Sequence, residues 1–209
     1  MIDTIKTRRR AAVVCAVICA AATSAANSAA IGVPEQTARW GWGLSVDRVS
    51  VDDPDGATEH DTAWQPWNVY YTDQFIGAAR YWLHGYYRTS TLLASETAIG
   101  QDVSSAGLAM SVQTRLAIDA AWDVFAGAGV YVARSEYKNR HNKDRDGFRM
   151  ANDYAVDRAQ TELGGQLNLL VETQLSQAWD IAGEVQVAAP FGGGVSDAGV
   201  TVIFLYTNR

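Results

Sequence analysis

The chain lacks the residues and runs that several protein classes require. Its two cysteines, Cys15 and Cys19, both lie near the beginning. The rest of the chain therefore has no thiol for disulfides, for nucleophilic catalysis or for cysteine metal sites. No later stretch approaches the roughly 18 consecutive apolar residues of a membrane-spanning helix. The charge balance is acidic, with 17 basic and 23 acidic residues, which argues against nucleic acid as a partner.

The first 30 residues have the layout of a secretory signal peptide. A basic segment precedes an uncharged apolar run at 11–22, and small residues follow it. The run is about a dozen residues long, whereas a membrane-spanning helix needs roughly 20, so an uncleaved anchor is the weaker alternative. Cleavage after Ala26 or after Ala30 suits the pattern of small residues. We expect residues 1–30 to be the signal peptide and residues 31–209 to be one domain.

Alternation of apolar and polar residues with a period of two recurs along this domain. In the last strand Val200, Val202, Phe204 and Tyr206 share one face, and Thr201, Ile203 and Leu205 share the other. In the first strand Trp40, Trp42, Leu44 and Val46 alternate with Gly41, Gly43, Ser45 and Asp47. The same alternation marks 106–118, 122–132, 161–171 and 179–187, and two less regular strands run through 67–71 and from 75 into the low 90s. The pattern predicts about eight β-strands.

The predicted connections alternate between long and short. Short turns are expected at 72–74, 119–121 and 174–178. Long polar segments are expected at 52–63, about 94–105 and 134–159, with a glycine-rich one at 189–198. Transmembrane β-barrels have this asymmetry, with short periplasmic turns and long outer loops. The order of the connections places both chain ends on the periplasmic side.

Aromatic residues cluster at the strand ends that this topology assigns to the periplasmic rim. Amphipathic rings prefer the headgroup level of a membrane, so we interpret them as an interfacial girdle. A soluble lipocalin-like barrel with its apolar face inside is the alternative. The predicted girdle comprises Trp40, Trp42, Tyr70, Tyr71, Phe75, Trp122, Trp179 and Tyr206.

With these features the chain resembles the small bacterial outer-membrane β-barrel superfamily, which includes opacity-protein, OmpA-barrel and OmpW-like proteins. The resemblance covers about residues 38–207. Such proteins usually end on an aromatic residue that the assembly machinery reads, whereas three residues follow Tyr206 here. The resemblance implies an all-β, antiparallel, up-and-down transmembrane barrel of about eight strands in the outer membrane of a Gram-negative bacterium. It also implies outer-membrane lipid, lipopolysaccharide and the barrel assembly machinery as partners, while the sequence names no protein partner.

The inward faces of such a barrel would carry a network of charges. An eight-stranded barrel is only wide enough for its own side chains, and buried ions need partners, so a salt-bridged plug is expected. A proton or ion path is the alternative, and a wide, porin-like channel is not expected at this strand number. The predicted lumen network comprises Arg80, Arg115, Glu162, Glu172 and Glu184.

Catalytic and metal-binding patterns are weak, so we assign no catalytic residue and no cofactor. His84, Ser90, Ser95 and Glu96 lie along one strand end, but a nucleophilic site needs its serine, histidine and acid in contact. A partial calcium-loop pattern comprises Asn142, Asp144, Asp146 and Asp153. It lacks the bidentate glutamate and lies in a basic segment, so no metal is expected.

The basic segment at 134–159 suggests a contact with lipopolysaccharide. Arginine binds phosphate bidentately. The residues expected to make this contact are Lys138, Arg140, Lys143 and Arg145. We expect a non-enzymatic structural or surface-interaction role, and the alternatives are a lipid A-modifying enzyme and a periplasmic ligand-binding barrel.

Overall fold

Nine β-strands form the part of the chain that the structure, a computed structural model, describes. The described residues are 38–52, 59–77, 79–94, 99–118, 122–143, 149–154 and 156–207. The strands are β1 (Arg39–Val51), β2 (Glu59–Ile76), β3 (Ala79–Leu92), β4 (Gly100–Ile118), β5 (Asp123–Lys143), β6 (Arg149–Tyr154), β7 (Arg158–Gln174), β8 (Trp179–Pro190) and β9 (Val195–Thr207). The predicted signal peptide lies outside these residues. None of the described residues forms a helix long and apolar enough to cross a membrane.

Eight of the strands close into an antiparallel barrel, as the sequence predicted. The strands pair in chain order from β1 to β5, β5 pairs with β7, β7 to β9 pair in chain order, and β9 closes the barrel on β1. The short strand β6 continues the sheet beside the far end of β5, where His141 lies opposite Tyr154. Both ends of the barrel chain lie at the rim that carries the short connections, since Arg39 pairs with Thr207.

The strands are staggered around the barrel. A path of directly paired residues starts at Arg39, makes one circuit and returns to β1 at Val49, ten residues further along. The intermediate residues are Thr72, Trp82, Ser111, Gly129, Gln166, Ala188 and Asp197. For a given number of strands, this stagger determines the tilt of the strands and the diameter of the barrel.

Several strands are longer than the alternation predicted. β2 continues to Ile76 and β3 begins at Ala79, so the prediction of a turn at 72–74 was wrong. β5 continues to Lys143, and β6 and the start of β7 occupy half of the rest of the predicted loop at 134–159. The glycine-rich connection at 189–198 shrinks to 191–194. These polar segments pair through backbone hydrogen bonds, so their composition does not make them loops.

The two faces of the strands have the orientation that the sequence predicted. Large apolar side chains point outward and form an exposed band, which a membrane would cover. Its members on β4, β5, β7 and β8 include Leu108, Met110, Val130, Val132, Leu163, Leu167, Leu169, Val185 and Val187. A soluble lipocalin-like barrel would bury these residues instead.

Inward-facing glycines make room for large side chains from neighbouring strands. A methyl group on Gly164 would collide with the Tyr131 ring and with the carbonyl oxygen of Ala189. A methyl group on Gly199 would collide with the carboxylate of Asp47. By contrast, Gly183 is exposed on the outward face, where an added methyl group would meet nothing within 4 Å. The inward glycines therefore let a narrow lumen hold aromatic and charged side chains.

Candidate functional site

Charged side chains fill the end of the lumen that carries the short connections, which the predicted topology assigns to the periplasm. Nη1 of Arg39 lies 2.7 Å from Oε1 of Glu172 and 2.8 Å from Oδ2 of Asp180. Nη1 of Arg80 lies 2.9 Å from the other oxygen of Glu172. Glu172 thus bridges two arginines from different strands. We call these residues, together with the Arg115–Asp123 pair at 3.2 Å, the periplasmic ion cluster. It contains three positive and three negative groups, so its formal charge is zero.

A layer of apolar side chains lies next to the ion cluster, on the side toward the middle of the lumen. Arg80 joins the two, because its guanidinium carbon lies 3.5 Å from the centroid of the Phe125 ring and 5.1 Å from that of Trp82. The Arg80 side chain is fully buried, and Nε donates to Oε1 of Gln113 at 2.8 Å. We call this the lower apolar layer: Tyr70, Trp82, Phe125, Leu170, Ala182, Ile203 and Leu205.

Polar groups occupy the middle of the lumen. Glu184 accepts a hydrogen bond from the amide of Asn168 at 2.8 Å. A ring nitrogen of His84 lies 2.9 Å from Oδ1 of Asn68, and the His84 ring stacks on Tyr70. Asp47 accepts hydrogen bonds from Ser45 and Gln65, and Arg88 pairs with Asp197. These groups come from six strands, so the closed sheet is what brings them together.

A second apolar layer lies at the opposite end, which the predicted topology assigns to the extracellular side. Below it, Glu162 accepts hydrogen bonds from the Tyr137 hydroxyl at 3.2 Å, the Gln160 amide at 2.9 Å and the Val195 backbone at 3.1 Å. We call this the upper apolar layer: Val49, Val51, Ala63, Leu92, Val103, Tyr137 and Val195. Along the barrel axis the buried side chains therefore form a charged, an apolar, a polar and a second apolar group in succession, and a third apolar cluster (Ala109, Tyr131, Ala133 and Ala188) packs beside the polar group.

The predicted lumen residues all point inward, but they do not form one network. Arg80 and Glu172 pair directly, and Arg115 belongs to the same cluster. Glu184 lies in the polar middle, and Glu162 lies near the extracellular end. The predicted lumen network did not include five further charged residues that the structure places in the lumen: Arg39, Asp47, Arg88, Asp180 and Asp197. Their signal was present, because each is a charged residue on the polar face of an alternating strand.

Most of the predicted girdle lies on the outward face at the periplasmic rim. Trp40 and Tyr71 contact each other with ring centroids 4.5 Å apart, and Trp179 and Tyr206 do so at 5.2 Å. Exposed side chains at this rim include Trp40, Trp42, Phe75, Trp122, Trp179 and Tyr206, while Tyr71 is half-buried. Tyr70 was wrongly assigned to the girdle, because it lies beside Tyr71 on the opposite face of β2 and is buried in the lumen.

The residues expected to contact lipopolysaccharide have different environments. Lys138 is 61% exposed, and its Nζ lies 2.9 Å from the Glu136 carboxylate; this hydrogen bond holds the pKa of Glu136 below its ordinary value. Arg140 is buried and donates to Gln101 and to the backbone oxygen of Val156, so it does not face the lipid. For Lys143 the structure describes only the backbone, and Arg145 lies outside the described residues.

Two of the residues considered for catalysis, His84 and Ser90, are described by the structure, and they do not contact each other. His84 contacts Asn68 inside the lumen, whereas Ser90 donates to Asp61 at 2.7 Å near the extracellular end. Ser95 and Glu96 lie outside the described residues.

The structure describes only part of the segment that carries the calcium-loop pattern. Asp144 and Asp146 lie outside the described residues, and only the backbone of Asn142 and Asp153 is described. In the described part of the chain, no three acidic, histidine or cysteine side chains are placed to hold a metal ion together.

Comparison with solved structures identifies the same architecture in bacterial surface proteins. Neisserial surface protein A superposes with a TM-score of 0.59 at 10% identity, over 82% of this chain and 97% of that one. The attachment invasion locus protein of Yersinia pestis superposes with a TM-score of 0.53 at 10% identity, over 82% of this chain and 98% of that one. The same Yersinia protein in complex with the heparin analogue sucrose octasulfate gives a TM-score of 0.51.

Sequence comparison adds no closer relationship. No protein-family model matches the chain, and no curated protein matches it. The similarity therefore concerns the fold, and the apolar outer band supplies the independent physical argument for a membrane. The chain has the fold of these eight-stranded, antiparallel β-barrels, and its large apolar side chains face outward as in transmembrane β-barrels.

Proposed function

We propose that this protein is a non-enzymatic outer-membrane barrel with a closed lumen, whose role is structural or lies in interactions at the outer surface. The packing of the lumen carries this proposal. Two apolar layers, with fully buried Trp82, Phe125 and Val195 among them, lie across the route between the two rims. A hydrated ion that crossed the barrel would have to displace both layers.

Exposed cations on the outer surface support the interaction part of the proposal. At the extracellular end β5 presents Arg134 and Lys138 outward, and both side chains are more than three-fifths exposed. Cations at this level suit phosphate groups of lipopolysaccharide. The complex of the Yersinia protein with sucrose octasulfate is an example of a polyanion bound by a protein of this fold.

Planar-bilayer recording tests the closed lumen. The folded protein should give no discrete conductance steps. The Trp82→Ala, Phe125→Ala double variant serves as the comparison, because it removes two of the three aromatic rings of the lower apolar layer while the upper layer stays in place. Discrete steps from the unaltered protein would contradict the proposal.

Mass spectrometry of lipid A tests the non-enzymatic role. Lipid A from cells with and without the gene should have the same acyl and phosphate pattern. A change that depends on the gene would instead support the lipid-modifying alternative.

A further inference from the structure

An acidic residue lies among aromatic rings on the outside of the barrel, at the rim that carries the short connections. Trp40 lies on β1, Tyr71 and Asp73 lie on β2, and Tyr81 lies on β3. The register pairs Trp40 directly with Tyr71, and Asp73 directly with Tyr81. Thr72 is buried in the lumen, so its neighbours Tyr71 and Asp73 both point outward. We call these four outward residues the rim carboxylate site.

Two tyrosine hydroxyls meet on one oxygen of the carboxylate. The hydroxyl of Tyr71 donates to Oδ2 of Asp73 at 3.3 Å, and the hydroxyl of Tyr81 donates to the same oxygen at 3.2 Å. A hydroxyl group that donates its proton still has lone pairs on its oxygen and can accept a hydrogen bond. The site therefore presents three acceptor oxygens close together, one from the carboxylate and two from the phenol groups.

Aromatic rings form the sides of this site. The Tyr71 ring contacts the Trp40 ring with centroids 4.5 Å apart and the Tyr81 ring with centroids 5.9 Å apart. The rings are tilted against each other by 51° and 37°, so they do not stack flat. The faces of tyrosine and tryptophan rings attract cations, and groups of such rings recognise ammonium ligands in proteins.

The carboxylate lies where lipid headgroups would surround the barrel. Trp40 and Tyr71 belong to the aromatic girdle, and Asp73 lies two residues further toward the short connection between β2 and β3. Girdle rings mark the headgroup level of a membrane barrel. A negative charge at this level repels lipid phosphates and attracts a headgroup cation. Within the described part of the chain, no arginine, lysine or histidine forms an ion pair with Asp73.

We infer that the rim carboxylate site binds the primary ammonium group of a zwitterionic phospholipid headgroup, such as that of phosphatidylethanolamine. A primary ammonium group has three N–H donors, which match the three acceptor oxygens of the site. Its hydrogen bond to Asp73 is charge-assisted. A quaternary ammonium group would keep the attraction to the rings but has no N–H to donate. This inference goes beyond the surface role proposed above, because it concerns the opposite rim of the barrel.

Native mass spectrometry of the folded protein in detergent tests the inference, with phosphatidylethanolamine, phosphatidylcholine and phosphatidylglycerol of equal acyl chains as probes. The protein should retain phosphatidylethanolamine best. Asp73→Asn should weaken this retention about tenfold, the loss expected for one charge-assisted contact. Tyr81→Phe should weaken it about threefold, because the ring stays and one acceptor is lost. Trp179→Leu is the matched control, since the Trp179–Tyr206 contact at this rim, with centroids 5.2 Å apart, has no described carboxylate bonded to it; retention should stay unchanged.

Three results would overturn the inference. The first is equal retention of phosphatidylethanolamine by Asp73→Asn and the unaltered protein. The second is retention of phosphatidylcholine or phosphatidylglycerol as strong as that of phosphatidylethanolamine, because neither of those headgroups carries a primary ammonium group. The third is an equal loss in Trp179→Leu, which would indicate an effect of the girdle as a whole. None of these results bears on the closed lumen or on catalysis, because the bilayer recordings and the lipid A pattern test those separately.

Discussion

Removal of the negative charge of Glu172 should destabilise the barrel strongly. Glu172 holds Arg39 at 2.7 Å and Arg80 at 2.9 Å, and all three side chains are at least nine-tenths buried. In Glu172→Gln, Arg39 keeps Asp180, whereas Arg80 retains no carboxylate partner among the described residues. Breaking a buried ion pair typically costs about 3–5 kcal/mol. Because glutamine keeps one acceptor oxygen, we expect a loss near the lower end, about 3 kcal/mol.

Urea unfolding of the barrel in lipid vesicles, followed by tryptophan fluorescence, measures this loss. Glu136→Gln is the matched control, since it removes the same charge from an exposed pair and should leave the free energy of unfolding nearly unchanged. Adding Arg80→Met to Glu172→Gln should recover part of the stability, because the uncompensated buried charge is then gone. The reasoning is refuted if Glu172→Gln is no less stable than Glu136→Gln, or if Arg80→Met makes the loss larger.

Three further predictions concern packing and orientation. Gly164→Ala should destabilise the barrel by about 1–3 kcal/mol through overpacking, whereas Gly183→Ala should leave its stability unchanged. Heat-modifiable gel mobility measures the folded fraction of each variant, and equal folded fractions for the two variants would contradict this prediction. Phe125→Ala should cost about 3–5 kcal/mol in urea unfolding, as expected for a buried ring that leaves a cavity; a loss below 1 kcal/mol would show that the lower apolar layer is not tightly packed. In single-tryptophan variants, brominated lipid should quench Trp40 but not Trp82, because only the first ring faces the membrane; equal quenching would contradict the assigned faces.

The strands and their faces follow from local properties of the chain. In a β-strand, successive side chains point to opposite sides, so a row such as Trp40, Trp42 and Leu44 already defines which face meets lipid. Strand ends were less predictable. In β5, the polar residues 134–143 lie above the apolar band but still pair with neighbouring strands, and composition alone does not distinguish such a segment from a loop.

The pairing of side chains inside the lumen depends on the closed barrel. Arg39 and Glu172 are 133 residues apart in the chain and meet only because β1 and β7 lie on the same cylinder with a defined stagger. Alternation along a strand specifies the face of each residue, because it is set by the geometry of neighbouring peptide units. The partner across the lumen is set by closure and register, which involve every strand at once.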